Sequence, residues 1–123
     1  MTASPRHENS NASLQEWLQK IGAKLKVNTD DGGKKGWKFP PILRNGRAYP
    51  YIADTFCTYN GVPLCFEIDY KYHESKQAIS NDKQREADLR AFGITICRLT
   101  PKEVDILDEE LLRKEIAYRM ERQ

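Results

Sequence analysis

Asn60-Gly61 is the feature that most constrains this chain. It separates two β-prone runs, YIADTFCTY and VPLCFEIDY. Asn-Gly is the strongest short-range hairpin signal, because a two-residue type I′ turn needs positive φ at both central positions. Such a turn pairs Tyr59 with Val62, and every outward step keeps that register. Thr58 then faces Pro63, Cys57 faces Leu64, Phe56 faces Cys65, and Asp54 faces Glu67. Pro63 falls in a non-hydrogen-bonded pair, so its missing N–H breaks nothing. Asp54 and Glu67 form the same kind of pair, with Cα atoms roughly 4.5 Å apart.

The elements on either side set the fold class. Leu14, Trp17, Leu18, Ile21 and Leu25 recur at helical spacing, and Ser13 with Glu16 matches a capping box, so a helix is predicted over Ser13–Leu25. The polar stretch before it, residues 1–11, reads as a disordered leader, and NTDDGGKKG reads as a flexible loop. WKFPPILRNGRAYPYIADTF is rich in aromatic and branched residues and predicts one or two strands with a turn at Asn45-Gly46. A helix follows the hairpin, with Ser80 or Asn81 as its cap and Gly93 as its stop. ITICRL is then a short strand, parallel to its neighbour because a helix precedes it. Thr100-Pro101-Lys102-Glu103 is a second capping box, and Asp108–Arg122 a last helix. The order makes a mixed α/β domain with a central sheet over residues 12–123.

With 123 residues, 39% hydrophobic and 31% charged, the chain suits one globular domain without a membrane span. Cys57, Cys65 and Cys97 lie in apolar runs without a CxxC pair, which points to buried thiols in a reducing cytoplasm and away from a zinc cage. The net charge of +2 is unevenly spread. Lys20, Lys24, Lys26, Lys34, Lys35, Lys38, Arg44 and Arg47 are opposed only by Asp30 and Asp31. That is either a phosphate-binding face or a solvated surface.

The acids carry the chemistry. Two carboxylates facing each other across strands repel unless something positive lies between them. Asp69 points to the same face as Glu67, and Phe66 and Ile68 to the other. Three hard oxygen donors at one sheet edge suit Mg²⁺ or Mn²⁺, which can activate water against a phosphodiester. His73 and Lys71 follow just past the strand, one fit to handle a proton near neutral pH and the other to stabilise phosphate charge.

The string ADTF…LCFEIDYKYH…NDKQREADLRAFGITICRLTPKEV resembles the very-short-patch-repair endonucleases and related domains of the restriction-endonuclease (PD-(D/E)xK) superfamily. The resemblance runs from Tyr51 to Val104, with Asp54, Glu67, Asp69, His73, Asp82, Arg85, Leu89, Gly93 and Arg98 at matching positions. It implies a restriction-endonuclease-like α-β-β-β-α-β core, a mixed sheet flanked by helices. It also implies Mg²⁺ or Mn²⁺ on Asp54, Glu67 and Asp69, with catalytic roles for His73, Lys71 and Asp82. Phage homing endonucleases of similar pattern take a further Glu from the N-terminal helix, here Glu16, whose other explanation is the capping box. The string departs from the pattern at three places. Thr55 interrupts Asp-Phe, Tyr70 replaces a Gly, and Asp69 holds the usual Lys position. Asp69-Tyr70-Lys71 is therefore a competing alignment. Arg98 could be a strand arginine paired with a core acid.

The expected activity is metal-dependent hydrolysis of DNA in repair, restriction or a mobile element, in a bacterial or phage setting. Lys34, Lys35, Lys38, Arg44 and Arg47 would contact phosphates. Two alternatives remain open, a nucleic-acid-binding module with a degenerate nuclease core and an RNA-directed nuclease. Specificity would come from loops, a partner or a homodimer.

Overall fold

Asn60 and Gly61 take φ of 50° and 78°, as the hairpin requires. The structure, a computed structural model, describes residues 5–26, 36–40, 42–44, 46–49, 51–69 and 76–122. In chain order the elements are α1 (Pro5–Lys20), β1 (Lys24–Lys26), β2 (Trp37–Lys38), β3 (Ile42–Arg44), β4 (Arg47–Tyr49) and β5 (Ile52–Ala53). After them come β6 (Thr55–Tyr59), β7 (Val62–Ile68), α2 (Lys76–Ala91), β8 (Thr95–Leu99), α3 (Pro101–Asp105) and α4 (Glu109–Glu121).

The central sheet has the order β1-β6-β7-β8. β1 and β6, like β6 and β7, run antiparallel, whereas β8 is parallel to β7, as the intervening α2 demands. The β6–β7 register is the expected one, from Tyr59↔Val62 through Thr58↔Pro63 to Thr55↔Phe66. Two small ladders, β2–β5 and β3–β4, lie in the long connection between β1 and β6.

Helices cover both faces of the sheet. On one, Leu14 and Leu18 of α1, Val104 of α3, and Leu112 and Ile116 of α4 pack on Cys57, Leu64, Phe66, Ile68, Cys97 and Leu99. On the other, Leu89 of α2 packs on Cys65, Ile94 and Ile96, together with Phe39, Tyr51 and Ala53. The three thiols are free and buried, and burial pushes each up to about 12. No helix among the described residues is long and apolar enough to cross a membrane.

Several boundaries differ from those expected. The first helix begins at Pro5, so it takes in part of the expected leader, and Ser13 is an exposed mid-helix residue rather than a cap. It ends at Lys20, and Leu25 sits in β1 opposite Cys57. The reason is long-range. Asn11 is buried and binds Thr55 and Asp54, contacts that no local signal encodes. The second helix starts at Lys76, ahead of Ser80 and Asn81, but stops before Gly93 at φ +79°, as expected. The Thr100 capping box and the Asp108 cap are both present.

Candidate active site

β7 brings two chemistries to its C-terminal end. Phe66 and Ile68 enter the core under α1, while Cys65 faces α2. Alternation puts Glu67 and Asp69 on the α2 side with Cys65. Asp69 continues the sheet by one bond, donating its N–H to Leu99 O at 2.9 Å.

Asp54 reaches the same end from β6. The β6–β7 ladder stops at Thr55↔Phe66, and the chain bends at Asp54 instead of continuing opposite Glu67. The bend lets the Asp54 carboxylate accept the N–H of Ile68 at 2.7 Å, between the two β7 acids. The bend is held from behind by α1. Asn11 Nδ2 donates to Asp54 O at 2.9 Å, Thr55 Oγ1 donates to Asn11 Oδ1 at 2.6 Å, and Gln15 Nε2 donates to Thr55 Oγ1 at 3.1 Å.

Two arginines supply the positive charge that the acids require. Arg85 of α2 pairs with Glu67, donates to Ile52 O at 2.7 Å, and lies over the Tyr51 ring. Arg98 of β8 is in register with Glu67, yet its guanidinium bridges Asp69 and Glu86. Tyr51 Oη donates to Asp88 Oδ2 at 2.6 Å, tying α2 to the segment before Asp54. Burial works against the Arg98 charge. The hydrogen bonds that Arg98 donates to Glu86 and Asp69, and the negative charge of those acids, outweigh it and hold its pKa above the ordinary arginine value. Burial lowers Arg85, and the nearby Arg98 acts the same way. An arginine begins so far above neutrality that Arg85 still carries its charge.

Comparison of the chain with protein-family models, with curated proteins and with solved structures finds no match.

The remaining expected site residues fall in different places. Glu16 is exposed on α1, one residue beyond Gln15, and has no capping role. Asp82 lies on α2 one turn before Arg85. Lys38 and Arg47 are exposed on β2 and β4, and Arg44 is on β3. Lys71, His73, Lys34 and Lys35 lie outside the described residues.

Oxygen-only donors at one sheet end fit a hard divalent cation by chemistry. Among the described residues, no three His, Cys, Asp or Glu side chains converge closely enough to hold one. The arrangement seen is therefore one in which arginines neutralise the acids. Arg85, Glu86 and the Asn11–Thr55 support were not anticipated as site residues. Arg85 and Leu89 share a helix face, and Arg98 alternates with Ile96 and Ile94, so both arginines could have been placed on the α2 side from spacing.

Proposed function

We propose that this chain is a metal-dependent DNA endonuclease with a restriction-endonuclease-like core, acting at the end of β7. The observation that carries the reading is the Asp54 carboxylate on the N–H of Ile68, between Glu67 and Asp69. The order helix, three antiparallel strands, helix, parallel strand supports it as well. Asp54, Glu67 and Asp69, drawn closer together than they stand while Glu67 and Asp69 are paired to Arg85 and Arg98, would hold Mg²⁺ or Mn²⁺, which when bound would supply an activated water and charge stabilisation at phosphorus. Glu67 is the most enclosed of the three acids, and Asp54 and Asp69 are each half-buried. Arg85 and Arg98 orient the carboxylates, and Asn11 and Thr55 hold the bend that positions Asp54. His73, four residues past Asp69, takes the proton of the attacking water in its neutral form. Lys71 is the rival for a role at phosphate.

The test is incubation of the full chain with plasmid and with single-stranded DNA, with and without Mn²⁺, beside Asp69→Asn, His73→Ala and Lys71→Ala. Metal-dependent cutting that Asp69→Asn abolishes and His73→Ala reduces by roughly two to four orders of magnitude is expected. Normal cutting by His73→Ala with a dead Lys71→Ala would reverse the two roles.

A second reading is favoured by the Arg85–Glu67 and Arg98–Asp69 pairs. A nucleic-acid-binding module with a degenerate core could keep such pairs as structure. It requires DNA binding without cleavage under any divalent metal. Cutting of RNA in preference to DNA would establish the RNA-directed alternative.

A further inference from the structure

The two arginines of the ionic cluster hold their acids on different terms. Arg85 and Glu67 meet deep in the site, with side chains 19% and 9% exposed. Arg98 and Asp69 meet nearer the surface, at 22% and 32%. Each arginine also has an anchor besides its acid at the end of β7. Arg85 donates to Ile52 O at 2.7 Å and lies over the Tyr51 ring. Arg98 donates through Nε to Glu86 while its Nη1 holds Asp69. Departure of Asp69 would therefore leave Arg98 paired and tied to α2.

Asp69 is also placed for release. Its backbone is fixed to β8, N–H on Leu99 O at 2.9 Å, so only its carboxylate has to move. The amide just before it, Ile68 N–H, already carries the Asp54 carboxylate at 2.7 Å. The two aspartates thus act within one peptide of each other. Carboxylates brought together without a cation repel. Arg98 and a divalent metal are therefore alternative partners for Asp69. A half-exposed ion pair contributes little in water, so the exchange costs little.

We propose that Arg98 is a latch. Asp69 exchanges it for the divalent metal, and the arm of Arg98 that Asp69 vacates takes a phosphate oxygen of the substrate. This rests on the nuclease reading above. Arg98 is favoured over Arg85 because its acid is the more open one and because Glu86 keeps hold of it through the exchange.

The phosphate half follows from hydrogen bonding. A half-buried guanidinium N–H that loses its acceptor is costly to leave unmatched. A phosphodiester is the anion that a nuclease site brings in, and the guanidinium fork fits phosphate oxygens. With Nε on Glu86, the fork keeps facing the place that Asp69 leaves. Metal and phosphate then each favour the other's binding, by linkage. Without substrate, Arg98 keeps Asp69 to itself and the metal affinity low.

The experiment is Mn²⁺ binding to the full chain without DNA, read from the electron paramagnetic resonance signal of unbound Mn²⁺, beside plasmid cutting at saturating Mn²⁺. Arg98→Gln should bind Mn²⁺ about tenfold tighter than the wild type, within the usual range of coupling between sites. It should nevertheless cut about tenfold or more slowly, because the phosphate loses a charged donor. A residue that only supported the fold would lower both. Arg90→Gln removes a charge from the other oxygen of Glu86 without touching Asp69, and should bind Mn²⁺ as the wild type does. Asp69→Asn/Arg98→Gln should lose the gain. Arg98→Lys keeps the charge but cannot bridge both acids. It serves if Arg98→Gln melts below the assay temperature, with the same signs and smaller effects expected. Unchanged Mn²⁺ affinity in the Arg98 variant, or an equal gain in Arg90→Gln, overturns the proposal, as does cutting by the Arg98 variant at the wild-type rate or faster. Wild-type cutting without the gain in Mn²⁺ affinity keeps the nuclease and removes the latch. The gain with no cutting by any form keeps the exchange and removes the nuclease, and the phosphate contact with it.

Discussion

The two faces of β7 are built on opposite terms. Toward α1, α3 and α4 the strand presents Leu64, Phe66 and Ile68, flanked in the sheet by Cys57 and Cys97, to a layer of aliphatic side chains. Toward α2 it presents Cys65 and then Glu67, followed by Asp69 at the strand end, and the layer above them changes from Leu89 to Arg85 and Glu86. Apolar packing alone stabilises the first face. On the second, charges are taken out of water and matched, an exchange that often leaves no net gain over apolar residues of equal size. A fold that needed only stability could have continued the apolar face. The charged end is thus where function is most economically sought.

The sharpest way to break the comparison is to damage the dry face. Phe66 is fully buried at the centre of that core. Phe66→Ala should cost about 3–5 kcal/mol, a large share of the stability of a domain of this size. Urea unfolding of the variant, with and without Mn²⁺, should show one loss in both conditions, because the cavity lies across the sheet from the acids. A metal-dependent loss would mean that the two faces are not separable.

The thiols test whether both faces are dry at the middle of the sheet. Cys57 and Cys97 face one layer and Cys65 the other, yet each is pushed from 9.0 to about 12 by burial. The thiolate fraction at pH 8 should therefore be about a thousandfold below that of a free cysteine, and a thiol reagent should label the native protein only through opening. Fast labelling of Cys65 alone would mean that water reaches the α2 side. The sign for stability follows from linkage. The folded pKa is raised, so the thiols' contribution is complete below 9 and is lost as pH rises towards 12. Melting temperature should fall across that window, and the fall should be smaller once the cysteines are replaced by alanine.

How much of this was legible in the sequence depends on the range of the interaction. The β6–β7 register follows from Asn60-Gly61 because a two-residue turn allows one register, and the Thr100 box follows from four adjacent residues. The start of α1 does not, because PRHENSN has no apolar period and its Asn11 is fixed by Thr55, distant in sequence. The same holds for the acids. Alternation places Glu67 and Asp69 on one face. Which cation meets them depends on where α2 docks, and that put Arg85 on Glu67 and Arg98 between Asp69 and Glu86. The stretch from Trp37 to Phe56 was expected to hold one or two strands, and among the described residues it holds four short ones, β2 to β5, and the start of β6.

Arg85→Met sharpens the contrast on the ionic face. It leaves the enclosed Glu67 carboxylate without its partner, at a cost of about 3 kcal/mol near neutral pH. Unpaired and buried, that carboxyl would titrate above the ordinary glutamate value. The variant's stability is then fullest in acid, below the ordinary glutamate range, and declines as pH rises through the new folded pKa. Millimolar Mn²⁺ at pH 8 should restore part of the loss if the acids take metal, and Arg85→Met/Glu67→Leu should restore it without metal. Recovery in the double variant but none with Mn²⁺ would favour the degenerate-core reading.

The smallest effect concerns the turn that carries the chain from β8 to the dry side. Thr100 Oγ1 accepts the Glu103 N–H at 3.2 Å, and Glu103 Oε1 accepts the Thr100 N–H at 2.9 Å. Two backbone donors at the start of α3 are satisfied by this exchange. Thr100→Ala removes the first of these bonds and also the one its hydroxyl donates to Glu103 Oε1 at 3.0 Å, and should cost about 1 kcal/mol. The exposed Lys114–Glu110 pair on α4 sets the background, since such pairs contribute no more than about 0.5 kcal/mol. Thr100 stands only two residues after Arg98, so the variant also asks how far the ionic layer extends along β8. If the layer ends at Arg98, the Thr100→Ala loss is the same with and without Mn²⁺, and Arg85→Met adds to it without coupling. A loss that grows when Arg85 is also replaced would show that the cap helps to hold the Arg98 end of the strand, and the boundary between the two faces would then lie beyond Leu99.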